Sequence, residues 1–215
     1  MDFDVRKESL VRKRVVHWYN QHGRSFPWRK TSDPYTILIA EILLRRTTAS
    51  AVSRVFNEFM LRFDTPATLA KASEQTIAHA LASLGLHTLR AKQLRKTASI
   101  LMKEYNGEIP KSFENLQALP GVGLYIASAV RNFAHGFAEP LVDGNMIHLI
   151  SRVFGVQFTG SSDKKAWDFM TRFGGSHKAE LYWGIIDLVG TLCLRRNPRC
   201  SACPLSNVCE WHMKQ

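Results

Sequence analysis

The sequence has 215 residues, of which 45% are hydrophobic and 22% are charged. This length and composition suit a packed chain of one or two domains and exclude a long modular protein, a disordered chain or a low-complexity polymer. Lysine and arginine number 29 against 18 aspartates and glutamates, which gives a formal net charge of +11. Such an excess predicts a polyanionic partner, with nucleic acid the first choice and an anionic membrane surface the second.

Neither a membrane-spanning nor an exported segment is expected. The longest apolar run, residues 35–44, is interrupted by Glu41 and is far shorter than the ~20 residues that cross a bilayer. The first eight residues include acidic side chains and no apolar stretch, so neither a secretory signal nor a transit peptide is visible. These features predict a cytoplasmic, nucleoid-associated protein without a membrane partner.

Apolar residues recur at i, i+3, i+4 and i+7 along most of the chain, which predicts an all-α protein with prolines between its helices. Asp33 followed by Pro34 is typical of a helix start. The joints at 22–33 and 136–144 are the weakest between helices. The predicted helices are 5–21, 34–45, 49–63, 66–72, 74–84, 88–105, 112–118, 124–135, 145–154, 163–173 and 178–193.

All four cysteines lie in the last 23 residues, in the pattern C-x6-C-x2-C-x5-C formed by Cys193, Cys200, Cys203 and Cys209. Clustering this tight indicates a shared ligand. Disulfides are disfavoured without a secretion signal, whereas the spacing alone leaves structural zinc and an iron-sulfur cluster open. The same loop carries three basic side chains that can offset thiolate charge or reach phosphate: Arg195, Arg196 and Arg199.

The segment Leu119-Pro120-Gly121-Val122-Gly123 lies between two helical patterns. Its glycines permit a turn whose amide groups, with the following helix N-terminus, form an anion-binding site. Phosphate contacts of this kind by Gly121, Val122 and Gly123 would fix the register on DNA without reading its sequence. A simple turn between two helices is the alternative.

The LPGVG turn, the segment Val142-Asp143-Gly144-Asn145 and the cysteine tail together resemble the helix-hairpin-helix DNA glycosylases with an iron-sulfur loop, which include endonuclease III, adenine glycosylases and thymine-DNA mismatch glycosylases. The resemblance implies a two-lobed all-α fold: a six-helix domain at 23–136 with the hairpin, and an iron-sulfur domain formed by 1–22 plus 137–215. It also implies a [4Fe-4S] cluster on the four cysteines. Its expected partner is double-stranded DNA with a mismatched or damaged base, bound by a monomer.

The resemblance assigns chemistry to three residues. Asp143 matches the family's essential aspartate, which would stabilise an oxocarbenium-like transition state or orient water, and it also suits a helix N-cap. Glu41 matches the glutamate that contacts the extruded base, with an exposed i, i+4 ion pair to Arg45 as the alternative. Tyr125 stands where endonuclease III-like enzymes carry a nucleophilic lysine, which predicts a monofunctional enzyme.

Tyr125 and the stretch Arg45-Arg46-Thr47-Thr48 resemble the thymine mismatch branch, and the sequence ends at Gln215 without the further domain of adenine glycosylases. Against this, Asp143-Gly144-Asn145 resembles either branch. We therefore expect a monofunctional glycosylase that removes thymine and uracil mispaired with guanine. The alternatives are an adenine glycosylase and a non-catalytic DNA-binding protein.

Arg46 and the pair Leu86-His87 occupy positions at which the family inserts side chains into the gap left by the flipped base. Ordinary surface residues are the alternative. Basic residues 90, 92, 95 and 96 are interpreted as a solvated helix face that adds to the positive field.

Overall fold

The computed structural model describes residues 4–174 and 179–215. Within these ranges all regular structure is helical, without a strand, which confirms the all-α prediction. None of the described helices is long and apolar enough to cross a membrane. Short 3-10 helices lie at Pro27–Arg29, Cys200–Ala202 and Ser206–Val208. The α-helices are α1 Val5–His22, α2 Pro34–Leu44, α3 Ala49–Arg62, α4 Pro66–Lys71, α5 Glu74–Ala80, α6 His87–Glu104, α7 Phe113–Ala118, α8 Leu124–Phe133, α9 Gly144–Phe154, α10 Lys164–Gly174, α11 Ala179–Thr191 and α12 Glu210–Met213.

The chain divides into two compact units. One, the central unit, is Ser25–Phe137, and the other, the terminal unit, combines Met1–Arg24 with Ala138–Gln215. The central unit contains seven α-helices, α2 to α8, in the places where the sequence pattern predicts seven, whereas the family resemblance implied a six-helix domain. Ser73 caps α5 as a helix separate from α4. In its core, α6 packs against α4 and α5, and α8 packs against α2 and α7.

The terminal unit is built on α11, which packs against α1 and α9, while α12 packs against α9. Asp187 of α11 is fully buried and accepts hydrogen bonds from the Arg24 amide at 2.7 Å and from Arg24 Nε at 2.9 Å. A buried charge is tolerated only when it is paired in this way. This ion pair therefore joins the end of the first segment to the main helix of the second.

Helix starts are predicted better than helix ends. Asp33 caps α2, as expected, by accepting a hydrogen bond from the Thr36 amide at 2.7 Å. The helix predicted at 74–84 ends instead at Ala80, because the chain tightens into short turns in which the Leu84 amide donates to the Leu81 carbonyl at 2.8 Å. The start of the predicted helix 178–193 lies outside the described residues, and the helix ends at Thr191.

Candidate active-site residues and iron-sulfur site

The turn at 119–123 joins α7 to α8 in the central unit. Gly121 has a φ of +81°, a left-handed conformation that glycine adopts without strain. Gly123 is exposed and precedes α8, whose first amides have no acceptor within the helix. Val122 departs from the expectation of a DNA contact, because its side chain is 6% exposed and its amide donates to the Leu119 carbonyl at 3.1 Å. Val122 thus anchors the turn, which leaves the amides of the glycines and of the start of α8 as the groups that could bind an anion.

Two side chains from other segments hold this turn. Arg45 Nη1 donates to the Gly121 carbonyl at 3.1 Å, and Thr97 Oγ1 donates to the Pro120 carbonyl at 3.1 Å. Residues of the turn, Arg45 and Tyr125 line an open groove. Tyr125, the second residue of α8, is half-buried. The residue predicted to replace a catalytic lysine therefore borders the same groove as the anion-binding turn.

Glu41 lies within α2, where every residue from 37 to 43 is buried. Its own exposure is 7%, so Glu41 does not lie on the exposed stripe that the alternative supposed. The Arg45 side chain reaches the Gly121 carbonyl and, at 3.4 Å, Gln93 Oε1. A buried carboxylate in an otherwise apolar helix is consistent with the functional role predicted for Glu41.

Two of the three residues predicted to enter the duplex share an uncommon backbone conformation. Arg46 has a φ of 53° and Leu86 a φ of 60°. A residue other than glycine pays about 1–2 kcal/mol to adopt the left-handed region. Both side chains are exposed, Leu86 by 53%, and His87 is exposed beside it at the first position of α6. An exposed leucine on such a turn suits insertion between bases.

Arg90 does not belong to the solvated face predicted for it, because only 4% of its surface is exposed. Its guanidinium donates to the carbonyls of Gly85 and Arg45 and, at 2.6 Å, to the Thr47 hydroxyl. Sequence patterning missed this residue because the Arg45 carbonyl lies 45 positions away along the chain. The other three basic residues of that segment are exposed, as predicted: Lys92, Arg95 and Lys96.

In the terminal unit, Asp143 is the N-cap of α9 and is held at both carboxylate oxygens. Oδ1 accepts from the amides of Asn145 and Met146, each at 2.8 Å, and Oδ2 accepts from Asn145 Nδ2 at 2.8 Å. Burial raises the pKa of Asp143 above its ordinary value, and these hydrogen bonds together with the charge of Arg195 offset part of that rise. The capping prediction is confirmed, and the carboxylate is locked in one orientation.

The three arginines of the cysteine loop differ in position. Arg195 Nη2 donates to the Gly144 carbonyl at 3.3 Å, which brings its charge beside Asp143. Arg196 and Arg199 are exposed on the same loop. Of the three, Arg195 is therefore the one that the fold brings to the Asp143 carboxylate.

The four cysteines line one pocket of the terminal unit. Cys193 follows α11, Cys200 begins the 3-10 helix Cys200–Ala202, Cys203 follows that helix, and Cys209 precedes α12. Four soft thiolate ligands around one space are the donor set of an iron-sulfur cluster, so the residues present fit that group.

Helix α9 supports this site with residues that the sequence analysis missed. His148 Nε2 donates to the Cys193 carbonyl at 2.9 Å. Arg152 Nη1 lies 3.6 Å from Cys193 Sγ and donates to the Leu194 carbonyl at 2.9 Å. The Arg152 guanidinium also lies 4.2 Å from the centre of the Trp211 ring, and Trp211 lines the pocket. A cation beside the ligands offsets the negative charge of a four-thiolate set.

Comparison with known families agrees with this geometry. Residues 39–171 match the family described as HhH-GPD superfamily base excision DNA repair protein. Residues 193–209, a range that includes all four cysteines, match the iron-sulfur binding domain of endonuclease III. The cysteines therefore carry a [4Fe-4S] cluster, and the zinc alternative is set aside.

Several relatives are similar over nearly the whole chain. A protein of Aeropyrum pernix named thymine-DNA glycosylase is 40% identical over 97% of both chains. A thymine/uracil-DNA glycosylase of Pyrobaculum aerophilum is 38% identical over 95% of this chain and 92% of its own. The solved structure of a thermostable thymine-DNA glycosylase has a TM-score of 0.92 and 32% identity, with 98% of each chain covered. The chain therefore belongs to the HhH-GPD superfamily of base excision DNA repair proteins and is an iron-sulfur DNA glycosylase that binds DNA.

Proposed function

We propose that this protein is a monofunctional glycosylase that removes thymine and uracil mispaired with guanine. The observation that carries the proposal is its similarity, over 97% of its length, to a relative named thymine-DNA glycosylase. Tyr125 supports the monofunctional part, because a phenol has no amine nitrogen with which to form a Schiff base. Water is then the nucleophile that completes cleavage of the bond between base and sugar.

Asp143 is assigned the central catalytic role. Breaking a glycosidic bond builds positive charge on the sugar, and a fixed carboxylate stabilises that charge without reorganising during the reaction. The hydrogen bonds from Asn145 and from the α9 amides prevent the carboxylate from rotating. Arg195 keeps a positive charge beside it and thereby favours the ionised form that the reaction requires.

Glu41 is assigned to recognition of the extruded base. A buried carboxylate accepts hydrogen bonds strongly, and thymine and uracil each offer an N3–H donor. Its place in a rigid, fully buried stretch of α2 suits a group that must meet the base at one position.

The exposed elements are assigned to DNA. The turn with Gly121 and Gly123 binds a backbone phosphate, with Val122 as its anchor in the core. Arg46, Leu86 and His87 occupy the gap left by the flipped nucleotide. Three arginines of the cysteine loop contact phosphate: Arg195, Arg196 and Arg199. The net charge of +11 supports binding to DNA and hence a location in the nucleoid. Repulsion between copies with this charge also favours a monomer.

The [4Fe-4S] cluster would bind at Cys193, Cys200, Cys203 and Cys209, and when bound it supplies cross-links that order residues 193–209. No step of base removal is assigned to it. The role of the cysteine loop in the reaction is to hold Arg195 at the Gly144 carbonyl, next to Asp143.

An adenine glycosylase is the second candidate, because Asp143-Gly144-Asn145 suits either branch and the adenine amino group can also donate to Glu41. A single-turnover assay with labelled duplexes separates the candidates. The duplexes contain T·G, U·G, A·G and A opposite 8-oxoguanine, with T·A as the matched control. We expect strand breaks at T·G and U·G only after alkali, and none at T·A.

The other outcomes of that assay contradict the proposal in different ways. Release of adenine alone would assign the protein to the adenine branch. Strand breaks without alkali would contradict the monofunctional assignment. Silence on every duplex would favour the non-catalytic alternative.

A further inference from the structure

Arg90 of the central unit joins two segments that are distant in sequence. One nitrogen of its guanidinium donates to the Gly85 carbonyl, and the other donates to the Arg45 carbonyl and the Thr47 hydroxyl. The Arg90 side chain is 4% exposed, and its hydrogen bonds are partly buried because the acceptors lie on turns at the surface. Charge-assisted hydrogen bonds in such a setting are strong and hold their geometry.

The two carbonyls stand immediately before the two left-handed residues. A carbonyl and the next residue's amide share one rigid peptide plane, so fixing the carbonyl fixes the plane from which the next φ rotates. Arg90 therefore holds the planes that precede Arg46, with a φ of 53°, and Leu86, with a φ of 60°. Both residues are otherwise in a costly conformation, which persists only where surrounding structure imposes it.

The same network reaches the anion-binding turn. Arg45, whose carbonyl Arg90 holds, directs its own side chain to the Gly121 carbonyl at 3.1 Å. We call Arg46 and Leu86 the wedges, because they are assigned to the gap in the duplex. The guanidiniums of Arg90 and Arg45 thus link the turns that carry the wedges to the turn assigned to phosphate. This arrangement makes the three turns a single hydrogen-bonded frame.

We infer that Arg90 is a positioning residue that presents Arg46 and Leu86 together, so that the two side chains enter the duplex as one unit. The inference rests on the wedge roles assigned under the proposed function. It requires an arginine, because only a planar fork spans acceptors on two separate turns, whereas a lysine carries its donors on one atom.

The first test compares Arg90→Lys and Arg90→Met with Arg95→Met. Arg95 is a matched control because it lies on the same helix, is 46% exposed and pairs with Glu74 at 3.7 Å. We expect both Arg90 variants to lower the single-turnover rate of base release about tenfold or more, since small misplacements at a site cost this much. Arg95→Met should change the rate by no more than about twofold.

The second test distinguishes positioning from a general loss of packing. Arg46→Ala, Leu86→Ala and the double variant are measured in the wild-type and Arg90→Met backgrounds. If Arg90 couples Arg46 to Leu86, the effects of the two substitutions on the single-turnover rate depart from additivity by about threefold or more in the wild-type background. In the Arg90→Met background the two effects are additive. Equal non-additivity in both backgrounds overturns the inference, as does a wild-type rate in fully folded Arg90→Met.

A binding readout keeps this test independent of base removal. A duplex with a tetrahydrofuran abasic analogue opposite guanine, flanked by 2-aminopurine, reports unstacking by fluorescence even if no base is released. We expect the wild type and Arg95→Met to raise the fluorescence and Arg90→Met to raise it less at saturating protein. An equal rise in all three overturns the inference while leaving the proposed function intact.

Where Arg90→Met fails to fold, Arg90→Lys replaces it in the second test and in the fluorescence measurement. This substitution keeps the positive charge but carries its donors on one atom, which cannot reach the Gly85 and Arg45 carbonyls together. Circular dichroism and urea unfolding establish that each variant is folded before its rate is compared. A folded Arg90→Lys protein with the wild-type rate and the wild-type coupling between Arg46 and Leu86 also contradicts the inference.

Discussion

In the central unit, the side chains assigned to the duplex stand on exposed turns with left-handed backbone, whereas in the terminal unit Asp143 stands at a regular helix N-cap. In the central unit, the free-energy cost of placing these side chains is backbone strain at Arg46 and Leu86. In the terminal unit, the free-energy cost is that of burying a charge, since burial raises the pKa of Asp143. The buried Arg90 offsets the first cost with hydrogen bonds, and Asn145 and Arg195 offset the second.

This difference has a physical origin. A wedge has to project from the surface, so it cannot be held by its own side-chain contacts and depends on its backbone. A catalytic carboxylate has to be fixed and partly desolvated, so it depends on donors aimed at its two oxygens. Replacing Asp143 should therefore lower activity without lowering stability, whereas replacing Gly121 in the central unit should lower stability.

The largest effect is expected for Asp143→Asn, which should lower base release by about 10²–10⁴-fold. Asparagine is an equally good N-cap, and it removes a charge whose burial is unfavourable. We therefore expect the free energy of unfolding at neutral pH, measured in urea, to be no lower than that of the wild type. A variant that keeps its turnover would remove Asp143 from the mechanism, and a large loss of stability would contradict the assigned electrostatic cost.

The pH dependence of the wild type tests the same cost. Because the pKa of Asp143 is raised, the folded protein keeps this proton to a higher pH than the unfolded chain does. The protonated form of Asp143 therefore adds to the free energy of unfolding at low pH. This contribution is lost as the pH rises through the pKa that Asp143 has in the folded protein. Base release needs the ionised form, so its acid limb should lie above the ordinary aspartate range, with a fall of about tenfold per unit below it.

Single-turnover rates across pH measure that limb, and duplex affinity at each pH is the control for binding. Glu41→Gln is the matched variant, because it removes the other carboxylate assigned to the reaction. The limb should persist in Glu41→Gln. A limb at or below the ordinary range, or one that disappears with Glu41, would assign the titration to another group.

Tyr125→Lys tests whether the groove of the central unit can be given a lyase step. A lysine on the second residue of α8 would border the anion-binding turn, and some strand cleavage without alkali is expected. The adduct is measured by borohydride trapping on a T·G duplex. Tyr125→Phe is the control, since it keeps the ring and supplies no amine. Absence of any adduct would mean that the local geometry differs from that of the lysine enzymes.

The smallest effect concerns the two glycines of the hairpin turn. At Gly121 a Cβ would lie 3.0 Å from Arg45 Nη1 on a backbone with a φ of +81°, so Gly121→Ala should cost about 1–2 kcal/mol of unfolding free energy. At Gly123 a Cβ meets nothing within 4 Å. Gly123→Ala should keep the stability within about 0.5 kcal/mol and weaken duplex affinity, because this residue lines the groove.

Urea unfolding and a duplex-binding titration measure these two effects. Equal stability of the two alanine variants would contradict the strain assigned to Gly121. Unchanged affinity in Gly123→Ala would contradict the phosphate-binding role of the turn.

Local patterns in the sequence are enough for much of this protein. The 3.6-residue periodicity determines the all-α class, and Asp33-Pro34 determines the start of α2, because both act within a few residues. The spacing of Cys193 to Cys209 confines the cluster ligands to one loop. The motif around Asp143 identifies its N-cap, since the donors are the next few amides.

Tertiary structure decided what depends on partners distant in sequence. Arg90 lies in a basic segment that is typical of a solvated helix face, yet it is buried because an acceptor from another segment, the Arg45 carbonyl, binds its guanidinium. Val122 anchors the turn because its side chain meets the core and its amide donates to the Leu119 carbonyl. Likewise, His148 and Arg152 support Cys193 across more than 40 positions. Sequence patterns report local hydrogen bonds and periodic burial, whereas the burial of a charge is settled only when the fold supplies its acceptors.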